Sequence, residues 1–136
     1  MAEHLEQVPG ARAVVNFTPV LLEQIDEYAQ RIAAHLSQGT PLGDAVLACL
    51  SDAPLPTDPG ARAALLQALL RANQERLVER HPPFAALAAI ARQVATPERA
   101  AWASDALIRD LAVWYHLAWL GETVRLGDPR VAALEA

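Results

Sequence analysis

The sequence contains no lysine, a single cysteine and no glycine-rich loop, and only 5% of its residues are aromatic. Each shortage narrows the field. All 11 basic residues are arginine, and 16 acids outnumber them to leave a net charge of −5. Nucleic acids and anionic membrane surfaces are held by basic patches, so neither is an expected partner. Cys49 has no second thiol to pair with, which favours a reducing, cytoplasmic setting. Without a glycine-rich turn between strand and helix there is no phosphate cradle, and no nucleotide cofactor is expected. The apolar run Leu111–Leu120 is interrupted by His116 and is about half the length that spans a bilayer. Met1–Glu6 lacks the basic and apolar regions of a signal peptide. The four histidines, His4, His35, His81 and His116, never fall three or four residues apart, so no metal site is expected.

What is present is a globular composition. Apolar residues make up 53% and charged residues 20% of 136, enough for one domain with a core of its own. Abundant alanine together with all-arginine basicity suggests a GC-rich bacterial gene.

Helical punctuation dominates. Residues 2–8 are expected to form a short helix ended by Pro9-Gly10, and Ala11–Phe17 reads as one short strand between turn signals. Thr18-Pro19 pairs an N-cap with proline at the first helical position. Apolar residues then recur from Leu21 to Leu36 at helical spacing, and Gly39 suits the end, which predicts a helix over about 19–38. Thr40-Pro41 repeats the signal ahead of a short helix over 42–50. Asp58-Pro59 opens a helix running to about Arg80, with Leu65, Leu66, Leu69, Leu70, Leu77 and Val78 as its stripe. After His81-Pro82-Pro83, Phe84–Val94 is predicted helical with Leu87 and Ile90 inward. Thr96-Pro97 gives a further start, and Ser104 gives another, so the next helix begins at 97 or at 105. Asp128-Pro129 opens a last short helix. The sum is a mainly α, single domain over 1–136: six or seven helices around a central tryptophan-rich helix (about 104–121), with at most one strand near 11–17. Trp114 and Trp119 are expected to be the largest packing groups of that helix. The lone strand needs a partner, since it cannot satisfy its own backbone.

Candidate chemistry is sparse. His116 is the polar residue of the apolar helix, and Asp110 lies at its start. Asp110, Trp114 and His116 are the candidates for a pocket or substrate contact, against core packing and structural hydrogen bonds as the alternative. No pair of carboxylates stands out for acid–base work. Cys49 reads as a small buried hydrophobe.

Three stretches in order resemble the family 57 glycoside hydrolases. Val15-Asn16-Phe17-Thr18-Pro19-Val20-Leu21-Leu22-Glu23-Gln24-Ile25-Asp26-Glu27-Tyr28 is similar to the family's early strand-then-helix segment. Arg71-Ala72-Asn73, with His81-Pro82-Pro83-Phe84-Ala85-Ala86-Leu87, resembles its Ala-Asn helix and Pro-x-aromatic turn. Asp110-Leu111, Val113-Trp114 and Leu117-Ala118-Trp119 resemble its tryptophan-rich helix. Together the matches span about residues 11–125. The resemblance implies an α-glucan-acting, retaining enzyme built on an incomplete (β/α) barrel. The family's His-Gln-Pro strand, its glutamate nucleophile and its aspartate acid/base have no counterpart here, so no catalytic residue carries over. On this reading the chain is an inactive internal fragment, whose partners are the remainder of the parent enzyme and, through it, α-glucan. The other reading is a stand-alone helical interaction module, a possible homodimer through its strand or an apolar helix face.

Overall fold

The computed structural model describes residues 7–135, with side chains through Leu134. Among these residues the chain is helical, without β-strand: α1 Pro19–Gln38, α2 Ala45–Ala48, α3 Pro59–Leu69, a π-helical turn Gln74–Val78, α4 Pro82–Val94, a 3-10 turn Ala100–Trp102, α5 Asp105–Trp119, α6 Glu122–Gly127 and α7 Pro129–Glu135. The mainly α class is as the punctuation predicts. Most of the helix expected over 2–8 lies outside the described residues. The chain divides into two compact units, Met1–Pro41 and Leu42–Ala136, each described by itself.

The strand expected over 11–17 does not form; residues 11–18 carry neither helix nor strand. Its β-branched residues supply propensity, but no neighbouring strand takes up the backbone groups, and an unpaired strand has no ladder to hold it. In the first unit α1 is the regular element. Thr18 caps it, its Oγ1 accepting from Leu21 N–H at 3.4 Å, and Pro19 follows at the first position. At the far end Gly39 takes φ 69°, in the left-handed region that glycine enters without strain, and its N–H donates to the carbonyl of His35 at 2.8 Å. The His35 ring then donates from Nδ1 to the carbonyl of Thr40 at 2.8 Å, closing the turn.

The second unit is built around α3, α4 and α5, which pack on one another. Its centre is Leu66 and Leu69 of α3, Phe84 of α4, Ile108 and Leu111 of α5, and Val78 of the π turn, all essentially without exposure. Ala88 and Ala91 on α4 and Ala112 on α5 are buried too, and their small side chains let the backbones approach. The expectation that Trp114 and Trp119 anchor this core is corrected: Trp119 is 57% exposed, and Trp114 is only half-buried. Ile90, expected inward, is exposed as well; the buried line of α4 runs Phe84, Ala88, Ala91.

Two proline starts fail, and the reasons are local and tertiary. After Thr40-Pro41, Gly43 adopts φ 73°, outside the helical region, so α2 waits for Asp44, whose Oδ1 accepts from both Val46 and Leu47 N–H at 2.9 Å. After Thr96-Pro97 the chain makes one turn and a 3-10 segment before Ser104 caps α5, its Oγ accepting from Leu107 N–H at 3.1 Å. A buried guanidinium intervenes there: Arg62 donates from Nε to the carbonyl of Ala100 at 3.2 Å and from Nη2 to that of Ala103 at 2.6 Å. The helix expected to run from 59 to Arg80 also stops early, at Leu69. Asn73 leaves the helical region at ψ 121° and caps the π turn, Oδ1 accepting from Arg76 N–H at 2.8 Å.

Candidate functional site

Asp110, Trp114 and His116 all lie on α5, but they do not converge. Asp110 and Trp114 are four residues apart and share a face. His116, two residues beyond Trp114, is rotated by about 200° from it around the axis. Asp110 is exposed, and no hydrogen bond or ion pair of the described residues engages it. Trp114 lies half-buried against the buried ring of His81, centroids 5.7 Å apart and planes tilted at 38°. His116 turns back on its own helix, donating from Nδ1 to the carbonyl of Ala112 at 2.7 Å, which fixes the proton on that nitrogen. Its ring meets Tyr115 edge-on at 5.4 Å, and Tyr115 meets Trp119 at 6.4 Å. These contacts are packing and backbone satisfaction, not a reacting constellation. Among the described residues no group of three His, Cys, Asp or Glu side chains is placed to hold a metal ion. No helix of the described residues is long and apolar enough to cross a membrane.

The arginines do more than the sequence discloses. Arg62 is 8% exposed and spends four donors, adding the carbonyl of Pro56 at 3.0 Å and Asp105 Oδ1 at 2.6 Å to the two alanine carbonyls. Arg109, half-buried, donates to the carbonyls of Cys49, Ser51 and Ala53, the stretch that follows α2. A five-donor fork suits this work because the ends of short helices leave carbonyls without intrahelical partners. The sequence signal is slight: an arginine beside a leucine stripe, easily read as a solvated charge. Cys49 is buried as expected, its thiol donating to the carbonyl of Ala45 at 3.1 Å. Burial pushes its pKa up, and the nearby Arg109 charge offsets only part of that.

The feature that stands out chemically is on α1. This helix of 20 residues contains no buried residue. Leu21, Leu22, Ile25, Tyr28 and Ile32 are exposed by 42, 51, 55, 42 and 38% respectively. Ile25, Tyr28, Ala29 and Ile32, with Gln24 at the edge, line one shallow apolar surface. Polar residues keep to the other side, where Gln30 donates to Asp26 at 2.7 Å and Arg31 pairs with Glu27. The Arg31 guanidinium also lies 6.0 Å from the centroid of the Tyr28 ring. An amphipathic helix of this kind is ordinarily stabilised by the burial of its apolar face, not by propensity.

Comparison with protein-family models, curated proteins and solved structures returned no match for this chain.

Proposed function

We propose that this chain is a helical association module, and that α1 is the element it presents to a partner. The observation that carries this reading is the apolar stripe Leu21, Leu22, Ile25, Tyr28 and Ile32 on a helix with no buried residue. Each of these side chains is about half exposed, and full burial of such a residue stabilises by about 1.5–3 kcal/mol. Roughly 1 kcal/mol apiece is therefore still available, or about 5 kcal/mol for the stripe. Isolated apolar side chains at a surface are ordinary, whereas a contiguous apolar face along one helix marks a contact surface. The helix-in-groove mode of recognition uses anchors at this spacing.

The test is the unfolding of Ile25→Asp and Ile32→Asp by urea at sub-micromolar protein. Both variants are expected to lose no more than about 1 kcal/mol, the part of each half-exposed side chain that the chain itself already covers. A loss above about 2 kcal/mol would assign the stripe to the chain's own fold and end this reading.

The resemblance to family 57 supports a second reading, as a segment of an α-glucan-acting glycoside hydrolase. The observation favouring it is the stretch before α1, where Val14 is fully exposed and Val15 and Phe17 are 54% exposed, next to the capped start of the helix. Strand-forming residues in that order suit a barrel strand whose partners lie in the remainder of the parent enzyme. On this reading the purified chain releases no sugar from amylose or a chromogenic maltoside. Turnover above a heat-killed control, abolished by mutating one carboxylate, would contradict it.

A further inference from the structure

We infer that the α1 stripe pairs with the same stripe of a second copy of this chain, the two helices running antiparallel. The inference rests on the association reading above and names its partner.

The charge along α1 is divided by halves. Residues 19–27 carry Glu23, Asp26 and Glu27 and no base, whereas residues 28–38 carry Arg31 and His35 and no acid. A parallel pair sets acid beside acid. An antiparallel pair brings Arg31 of each copy towards the acidic half of the other, leaving only Asp26 and Glu27, away from the apolar stripe, level with carboxylates of the second copy, and it opposes the helix dipoles favourably as well. A uniformly acidic partner would face the three carboxylates, and a uniformly basic one would face Arg31. The helix is complementary to itself.

The apolar spacing supports the same arrangement. Leu21, Ile25, Tyr28 and Ile32 are separated by four, three and four residues, the spacing of a two-helix seam. A two-fold axis passing between residues 26 and 27 sets Ile25 against Tyr28 and Leu21 against Ile32, twice each. That is the closed, isologous form in which residue i meets j and j meets i. In this register Arg31 falls beside Gln24 and Glu27 of the second copy, on the flank where it already pairs with its own Glu27. The opposite flank carries Leu22 and Ala29, and Ala29 leaves room for the Leu22 that reaches it. No charged side chain interrupts the seam from Leu21 to Ile32, and His35 stands at the next position beyond it.

The experiment is sedimentation equilibrium on the full chain from about 1 to 100 μM, the range in which a small helical interface dissociates. A dimer that dissociates on dilution is expected. Ile25→Asp is expected to leave a monomer across the whole range with unchanged helical circular dichroism. Arg31→Glu is expected to weaken the dimer about tenfold, and adding Glu27→Arg to restore it, because the swapped pair again suits antiparallel helices. A dimer indifferent to Ile25→Asp, or an Arg31→Glu variant of unchanged affinity, would overturn the inference. So would a chain that stays monomeric at the highest concentration. In that last case urea unfolding separates the two readings. An Ile25→Asp chain that unfolds at the parent's midpoint overturns only the second copy as partner. A midpoint lowered as far as by Phe84→Ala overturns the association reading too.

Discussion

Arg62 and Asp105 are joined at 2.6 Å, yet they contribute very unequally, since the arginine side chain is 10% exposed and the aspartate 64%. The ion pair itself sits in solvent at one end and is worth little. The weight falls on the carbonyls of Pro56, Ala100 and Ala103, which Arg62 satisfies away from water. Arg62→Met keeps the length of the side chain and leaves the Pro56 and Ala103 carbonyls without their donor, while the Ala100 carbonyl keeps the Ala103 N–H at 3.2 Å; the cost is about 1–3 kcal/mol for each orphaned carbonyl that water cannot reach. Asp105→Asn is expected to cost under ~1 kcal/mol. Urea unfolding of the two variants checks the difference, and equal losses would place the weight on the ion pair instead.

Phe84 and Trp119 reverse the usual ranking by size. Phe84 is wholly buried, whereas Trp119 is 57% exposed. Phe84→Ala is expected to cost about 3–5 kcal/mol, the transfer of a buried aromatic plus the cavity it leaves. Trp119→Ala is expected to cost under ~1 kcal/mol. Denaturation midpoints decide this, and a larger loss at Trp119 would restore the tryptophans as the anchors of α5.

The Cys49 thiol holds its proton to higher pH in the folded chain than in the unfolded one, because burial disfavours the thiolate. The stability this gives is fully present below the ordinary thiol range. It declines as pH rises through that range, where the unfolded state has already released its proton and the folded state has not. Iodoacetamide is expected to modify Cys49 slowly in the folded protein and rapidly in urea. Cys49→Ala is expected to flatten the fall in stability between neutral pH and about pH 10. A rapid reaction under native conditions would mean that the thiol is open to solvent.

Asp128, at the start of α7, accepts from Arg130 at Nη2, Nε and the backbone N–H, at 2.6, 3.0 and 2.9 Å. The side-chain bonds from Arg130 are the largest cause, and they hold the carboxyl down at about 2. A depressed carboxyl favours the folded helix start above the ordinary carboxylate range, and the effect is lost as pH falls through about 2. Carbon-detected NMR titration is expected to find that midpoint, and Arg130→Ala is expected to return it towards the ordinary range. A wild-type midpoint already in the ordinary range would mean that the Arg130 bonds do not persist in solution.

The sequence by itself determined the helical class and most helix starts. Caps and proline positions act within a few residues, so Thr18, Asp58, Ser104 and Asp128 can be read without knowing the fold. The leucine stripe of α3 was legible for the same reason, because its periodicity matches one face. Tertiary structure alone decided which apolar residues became core. Burial depends on what lies opposite, so Trp119 and Ile90 stayed outside while Ala88 and Ala91 went in. It also decided that Thr96-Pro97 would not open α5, since Arg62 draws on carbonyls about forty residues away in sequence. The candidate surface was half legible: the spacing along α1 predicted an apolar face, but whether that face is covered depends on distant parts of the chain, which spacing does not encode.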